Sequence, residues 1–349
     1  MEYLVSIIIP VYKVEAYIER CLTSVMCQTY HDSSIECIIV DDCSPDKSIA
    51  IVQNMINSYH GNIDFKIIRN EKNGGLSVAR NNGMKYATGK YIFFLDSDDH
   101  IQEDCLKILL SALDIYPNAE MVMGNSLNMK DNTPIIQLKT NDQLITYDNS
   151  QLLSAFYMEV IPTMAWNSLI LREIIVKNQL LFKPKLVHED ELWASKLYPL
   201  INTFVYVPQI TLIYENNSSS IMNSVGVQPS KDLPHCIVIM EELLKSFNEA
   251  HIVEYTLFLC SSLIRMLDMS SHCGEEMKLK VIRQRNQLMN NSIRHGRIVL
   301  ILFQLLMYNP LFQLFRFRFF RYYFFRLKKT TYFIASLFDC LHGKKLSTD

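Results

Sequence analysis

The sequence predicts an α/β fold: a mostly parallel sheet flanked by helices, followed by a helical C-terminal region. Two observations carry this. The first 125 residues alternate short apolar runs with segments of helical spacing, the pattern of βαβ units on a parallel sheet. Farther on, between about 230 and 290, apolar stripes recur at 237–244 and 256–266, as on helices that bury one face.

Taken in order, strands are expected over 4–10, 35–41, 65–69, 91–95 and 121–123. Helices are expected between them over 15–28, 48–59, 76–87 and 103–116, the last stopped by Pro117. The apolar start lacks a basic region and a small-residue cleavage site, so it reads as a first core strand rather than a leader. Residues 126–150 are polar and weakly periodic, an irregular connection or peripheral strands. Residues 151–225 resume with a helix, a segment around Trp166, the cluster His188-Glu189-Asp190 and a strand over 203–207. The expected division is a catalytic domain over 1–225, a helical region over 226–297 and a basic aromatic tail over 298–349.

With 349 residues the chain can bury a large core. Its formal net charge is -2, which makes no electrostatic case for nucleic acid as a partner. The charge is unevenly spread: no Asp or Glu falls between Glu276 and Asp339, whereas Arg and Lys recur there. Within that tail Arg316, Arg318, Arg321 and Arg326 interrupt a dense run of aromatic and aliphatic residues. That mixture suits helices lying in a membrane interface with arginines toward anionic headgroups, and equally a packed helix pair or an oligomer interface. The reading preferred is a protein in the cytoplasm, peripheral on the inner face of the cytoplasmic membrane. No apolar run reaches the length of a membrane span. The 9 cysteines are scattered, without a C-x-x-C pair, against both a disulfide framework and a zinc site.

Chemistry concentrates at the carboxyl ends of the expected strands, where open α/β sheets bind ligands. The strand over 91–95 runs directly into Asp96-Ser97-Asp98-Asp99. Clustered carboxylates after a buried strand repel one another unless a cation or hydrogen bonds hold them, and carboxylate oxygens suit Mg²⁺ or Mn²⁺ shared with substrate phosphates. A solvated turn is the plain alternative. Asp41 and Asp42 follow the second strand and can accept from a ribose hydroxyl or a base N–H, or cap the next helix. Gly74-Gly75 before a helix can bring amides near a phosphate, or merely turn the chain. Arg80 and Asn81, one turn later, can face those phosphates or pair with a local carboxylate. In His188-Glu189-Asp190 a carboxylate can serve as general base toward a sugar hydroxyl, or simply sit at a helix N-terminus for its dipole.

These segments, in this order, resemble family 2 glycosyltransferases of the GT-A, Rossmann-like fold, particularly bacterial enzymes of surface-polysaccharide synthesis. The matching stretches are Val5-Ser-Ile-Ile-Ile-Pro-Val-Tyr-Lys13, Ile38-Ile-Val-Asp-Asp-Cys-Ser-Pro-Asp46, Asn73-Gly-Gly-Leu-Ser-Val-Ala-Arg-Asn-Asn-Gly83, Gly89-Lys-Tyr-Ile-Phe-Phe-Leu-Asp-Ser-Asp-Asp99 and His188-Glu-Asp190. The resemblance implies a nucleotide-sugar donor, a glycan or lipid-linked acceptor, and Mg²⁺ or Mn²⁺. It implies that Pro10, Tyr12 and Asp42, with Asp41 beside them, meet the base and ribose. Gly75, Arg80, Asp96 and Ser97 join the donor site, Asp96 as a ribose contact and Asp98 as metal ligand. Asp190 takes the place of the catalytic base, with Glu189 next to it. Two positions depart from the family pattern: Ser168 stands where lysine is common, and Glu215 replaces a frequent arginine. Two rival readings are a sugar-phosphate nucleotidyltransferase, whose Gly-rich opening loop Val11-Tyr12-Lys13-Val14 lacks, and a catalytically silent nucleotide-sugar-binding scaffold.

Overall fold

The computed structural model describes residues 3–30, 35–137, 144–215, 229–245 and 252–294. The chain divides into two compact units, one of Met1–Phe156 and Val160–Ser224, the other of Tyr157–Glu159 and Val225–Asp349. The membrane reading of residues 298–349 lies outside the described residues. Among the described residues no helix is long and apolar enough to cross a membrane.

The first unit is built on a ten-stranded sheet. Its strands are β1 (Val5–Val11), β2 (Ile35–Asp41), β3 (Ile63–Arg69), β4 (Tyr91–Phe94), β5 (His100–Ile101), β6 (Met121–Asn128), β7 (Thr133–Pro134), β8 (Ile145–Asp148), β9 (Ser168–Leu171) and β10 (Thr203–Tyr214). The helices of this unit are α1 (Ile18–Met26), α2 (Ser48–Asn57), α3 (Leu76–Tyr86), α4 (Cys105–Ile115), α5 (Asn149–Tyr157), α6 (Arg172–Lys177) and α7 (Glu189–Leu197). The strand order is β3-β2-β1-β4-β9-β6-β10-β5, with β7 on β6 and β8 on β10. From β3 to β4 every pairing is parallel, and β1, β2 and β4 are buried along their whole length, as a parallel sheet covered on both faces requires. β3 closes the edge with no residue fully buried and with Asp64, Lys66 and Arg69, charges that discourage further pairing.

Beyond β4 the sheet becomes mixed. β9 runs antiparallel to both β4 and β6, and β10 then pairs parallel with β6. The strands expected over 121–123 and 203–207 extend to Asn128 and Tyr214, since each supplies the other's hydrogen-bonding partner.

Two residues shape the crevice beside β1. The last β1–β4 pair is Ile8↔Phe94, after which the Leu95 N–H donates to the Ile8 carbonyl. Ladder parity places the Pro10 nitrogen on this same side, where pairing has ended and a missing N–H costs nothing. Gly83 lets α3 lie close on β1, because a Cβ there would come within 2.4 Å of Ile8 Cγ2.

At the opposite end of the strands Glu36, fully buried, accepts from Ser6 Oγ at 2.6 Å, the Thr88 N–H at 2.7 Å and Lys66 Nζ at 2.8 Å. Burial opposes its charge, but these donors hold its carboxyl below the usual glutamate value.

The second unit contains α8 (Pro229–Lys245), α9 (Ile252–Ser270) and α10 (Glu275–Arg294). Their buried faces carry Ile237, Met240 and Leu243, Leu259, Leu263 and Met266, and Val281 and Leu288. Gln284 of α10 donates to the Ile237 carbonyl of α8 at 2.8 Å.

Candidate active site

Strand polarity gathers the expected site residues on one rim. Pro10 to Tyr12 end β1, Asp41 and Asp42 end β2, and Asp96 to Asp99 follow β4. Tyr12 is 40% exposed, with Lys13 Nζ 5.3 Å from its ring centroid, so a flat aromatic face stands open beside the crevice. Ser97 is buried and Asp96 and Asp98 are half-buried.

The carboxylates after β2 are engaged locally. Asp41 Oδ1 accepts from the Ser44 N–H at 2.8 Å, and its Oδ2 lies 3.4 Å from Arg69 Nε. Asp42 accepts from the Gly74 and Gly75 amides at 2.9 and 2.8 Å and from Asn70 Nδ2 at 2.6 Å. The Gly75 amide, expected at a phosphate, is therefore given to Asp42. Gly75 has φ +83 with open space around its Cβ position, a left-handed conformation that glycine adopts without strain. Capping near α2 falls to Asp46, which accepts from Ser44, Ser48 and the Glu15 N–H. Burial opposes its charge, and the donors together outweigh it, holding its carboxyl at about 2.

Arg80, placed in the donor site by the resemblance, takes the other setting open to it. Its side chain is only 1% exposed and serves as common partner of three carboxylates. Nη2 lies 2.8 Å from Asp96 Oδ1, and Nη1 lies 3.0 Å from Glu189 Oε1 and 2.7 Å from Asp190 Oδ1. The reason is electrostatic: acids brought to one buried spot by two separate segments are tolerated only around a cation. The Phe182 ring lies 5.1 Å from the guanidinium carbon and stacks on Trp193 at 4.5 Å and 10°, which covers the guanidinium on that side.

The segment bearing Asp190 is held at several points. Asn81 forms a reciprocal pair with the Phe182 backbone, Nδ2 to the carbonyl and Oδ1 from the N–H, both at 2.8 Å. His188 takes φ 63 at the entry to α7, whose first turn carries Glu189, Asp190 and Glu191. Asp190 Oδ2 accepts from the Ala165 N–H at 3.3 Å. Burial pushes the Asp190 carboxyl above its ordinary value, with Arg80 opposing. Burial, then Asp190, lifts Glu189 to about 7, again against Arg80. A carboxylate raised in this way is a better proton acceptor near neutral pH.

The loop after β4 has the opposite problem, an excess of negative charge. Burial first, then Asp98 and Asp96, push the Asp99 carboxyl up to about 9. Its Oδ1 accepts from the Glu215 N–H at 2.9 Å, while its buried Oδ2 has no hydrogen-bond partner among the described residues. Arg20 of α1 answers part of this charge, meeting Glu215 at 3.0 Å and the Asp98 carbonyl at 3.3 Å. Hard oxygen donors with an orphaned carboxylate oxygen fit a divalent cation. Among the described residues no group of three or more His, Cys, Asp and Glu is placed to hold one, so Asp98 would share it with substrate oxygens.

Both departures from the family pattern have a structural setting. Ser168 is fully buried in β9, its Oγ without a partner among the described residues, and Glu215 is the partner of Arg20. Sequence reasoning missed Arg20, whose helical position carries no motif. It also missed how Asn167 ties the sheet: Nδ2 donates to the Gly124 and Asn125 carbonyls at 3.0 Å and Oδ1 accepts from Thr211 at 2.8 Å.

Comparison with known proteins adds to this geometry. The model of glycosyl transferase family 2 matches residues 6–176. A glycosyltransferase of Haemophilus influenzae is 35% identical over 187 residues, 54% of this chain and 68% of that protein. TarS of Staphylococcus aureus, a poly(ribitol-phosphate) beta-N-acetylglucosaminyltransferase, is 26% identical over 283 residues, 80% of this chain. GgaB of Bacillus subtilis, a minor teichoic acid biosynthesis protein, is 41% identical over 113 residues, 32% of this chain. The chain spans 47% of the length of TarS and 12% of that of GgaB. The crystal structure of S. aureus TarS 1-349 in complex with UDP-GlcNAc matches with a TM-score of 0.65 at 23% identity, over 82% of this chain and 80% of that one, a likeness of fold.

Proposed function

This chain belongs to glycosyl transferase family 2 and is a glycosyltransferase, and from that premise we propose that it moves a sugar from a UDP-sugar to a hydroxyl of a glycan or lipid-linked acceptor, with inversion, in surface-polysaccharide synthesis. One observation carries the reading. Asp96, from the loop that would hold the donor, and Asp190, the candidate base, converge on a single buried guanidinium at 2.8 and 2.7 Å. Donor end and acceptor end of a displacement are thus one site.

In this reading Asp190 takes the proton of the acceptor hydroxyl as it attacks the anomeric carbon. Attack comes from the face opposite the leaving diphosphate, so one displacement inverts the configuration and no covalent enzyme intermediate forms. Tyr12 offers its exposed ring to the nucleotide base, and Asp96 reaches the ribose. Asp98 would hold Mg²⁺ or Mn²⁺, which stabilises the departing diphosphate as Lewis acid and clamp. UDP is favoured as the nucleotide because TarS, alike in fold, was crystallised with UDP-GlcNAc.

A thermal-shift panel of nucleotide-sugars with Mn²⁺, followed by donor hydrolysis, tests this. A UDP-sugar that binds the folded state raises its melting temperature and is consumed with Mn²⁺ and not with EDTA. Stabilisation by no nucleotide-sugar, or binding without any turnover, would leave the scaffold reading in its place.

A further inference from the structure

Three carboxylates and one guanidinium would carry two surplus negative charges in a largely buried cluster. Such a cluster lowers its energy either by drawing the guanidinium into close contact or by keeping a proton. Both happen here. Arg80 places Nη1 between Glu189 and Asp190 and Nη2 on Asp96, and its neighbour Asn81 fixes the Phe182 backbone. One turn of α3 therefore governs the segment that presents Asp190.

We propose that Arg80 is the positioning residue of the base: it orients the Asp190 carboxylate and stabilises its anion, with Glu189 as the second acid on the same guanidinium nitrogen. This rests on the reading of Asp190 as base. The groups facing Asp190 are Arg80 from α3, Asp96 after β4, the Ala165 N–H, Glu189 on its own helix, and Tyr198 just beyond α7, whose phenol is raised by its own burial and then by Asp190. Glu189 faces Arg80, Asp190 and Asp96. Among these described groups Arg80 is the cation, and it favours the anion of Asp190.

Two isosteric or near-isosteric variants separate this role from simple structural support. Arg80→Lys keeps a positive charge but loses the fork that reaches three acids. Glu189→Gln removes the titrating neighbour and keeps its shape. With UDP-GlcNAc and Mn²⁺ as the hydrolysis probe, the acidic limb of kcat/KM reports the base of the free enzyme. It is expected to move to higher pH by about 1–3 units in Arg80→Lys and to stay in place in Glu189→Gln.

A second arm needs no activity. Groups raised in the folded state bind more protons there than in the unfolded chain, so stability falls as pH climbs through their window. For Glu189 that window runs from its ordinary 4.5 to about 7. Calorimetry between pH 5 and 8 should show a shallower fall in Glu189→Gln than in the wild type, and a steeper one in Arg80→Lys, whose Asp190 then rises further. Should Arg80→Lys not fold, the Glu189→Gln slope alone decides. An unmoved limb with unchanged slopes, or slopes that shift in the same direction, overturns the proposal. A wild type that hydrolyses no UDP-sugar counts against the donor assignment and leaves the calorimetric arm to judge the cluster.

Discussion

Asp190 is held at both oxygens, by Arg80 and by the Ala165 N–H, so its replacement by asparagine changes charge more than shape. Asp190→Asn is expected to bind donor nearly as the wild type does and to transfer about 10²–10⁴-fold more slowly, the usual share of a general base. Titration calorimetry with the donor beside steady-state rates checks the split, and a fall in turnover under threefold would move the role to another group. Asp98→Asn should behave differently, losing donor affinity and metal dependence together, because one charge is removed from the loop proposed to hold the cation. Retention of full Mn²⁺-dependent donor binding by Asp98→Asn would refute the assignment.

At the scale of elements, the buried Glu36 ties β1, β2 and the turn before β4 through Ser6, Thr88 and Lys66. Removing it in Glu36→Ala strands those donors and should cost about 3–5 kcal/mol in urea unfolding. Because its folded value is depressed, its contribution is present above the ordinary value near 4.5 and disappears as pH falls below it. The wild type should therefore lose more stability than Glu36→Ala between pH 5 and 3. Gly83→Val tests the approach of α3 to β1: its Cβ would meet Ile8 at 2.4 Å, and overpacking of this kind costs about 1–3 kcal/mol.

The same elements mark what could be read from sequence. β1, β2 and β4 were legible because a strand buried on both faces must be apolar throughout. β9 was not, for its four residues begin with Ser168 and owe their extended form to β4 and β6 on either side. Asp96 and Asp190 stood out as acids at element ends. Arg80 stood out too, but not its partners, since it lies 110 residues from Asp190 in sequence and only the fold decides whether it meets phosphate or carboxylate.

For the whole molecule, the sequence reserves its basic aromatic stretch for the end, after every residue of the candidate site. Deleting residues 298–349 is expected to leave donor binding intact and to abolish attachment to vesicles. Sedimentation with anionic and neutral liposomes at two salt concentrations measures it: the full chain should pellet best with anionic lipid, and added salt should weaken the electrostatic share. A full chain that stays in the supernatant with anionic vesicles would end the membrane proposal.

The antiparallel β9 has a further consequence, for the order in which the molecule is made. The strands from β3 to β4 are complete once the chain has reached Phe94, yet the far edge of β4 gains its partner only when Ser168–Leu171 arrive. Until then a growing chain carries an unpaired apolar strand edge beside the half-built candidate site, the surface on which misassembly and aggregation begin. Substitutions that slow β9 from docking would lower the yield of folded protein during synthesis while leaving the activity of each molecule that does fold unchanged.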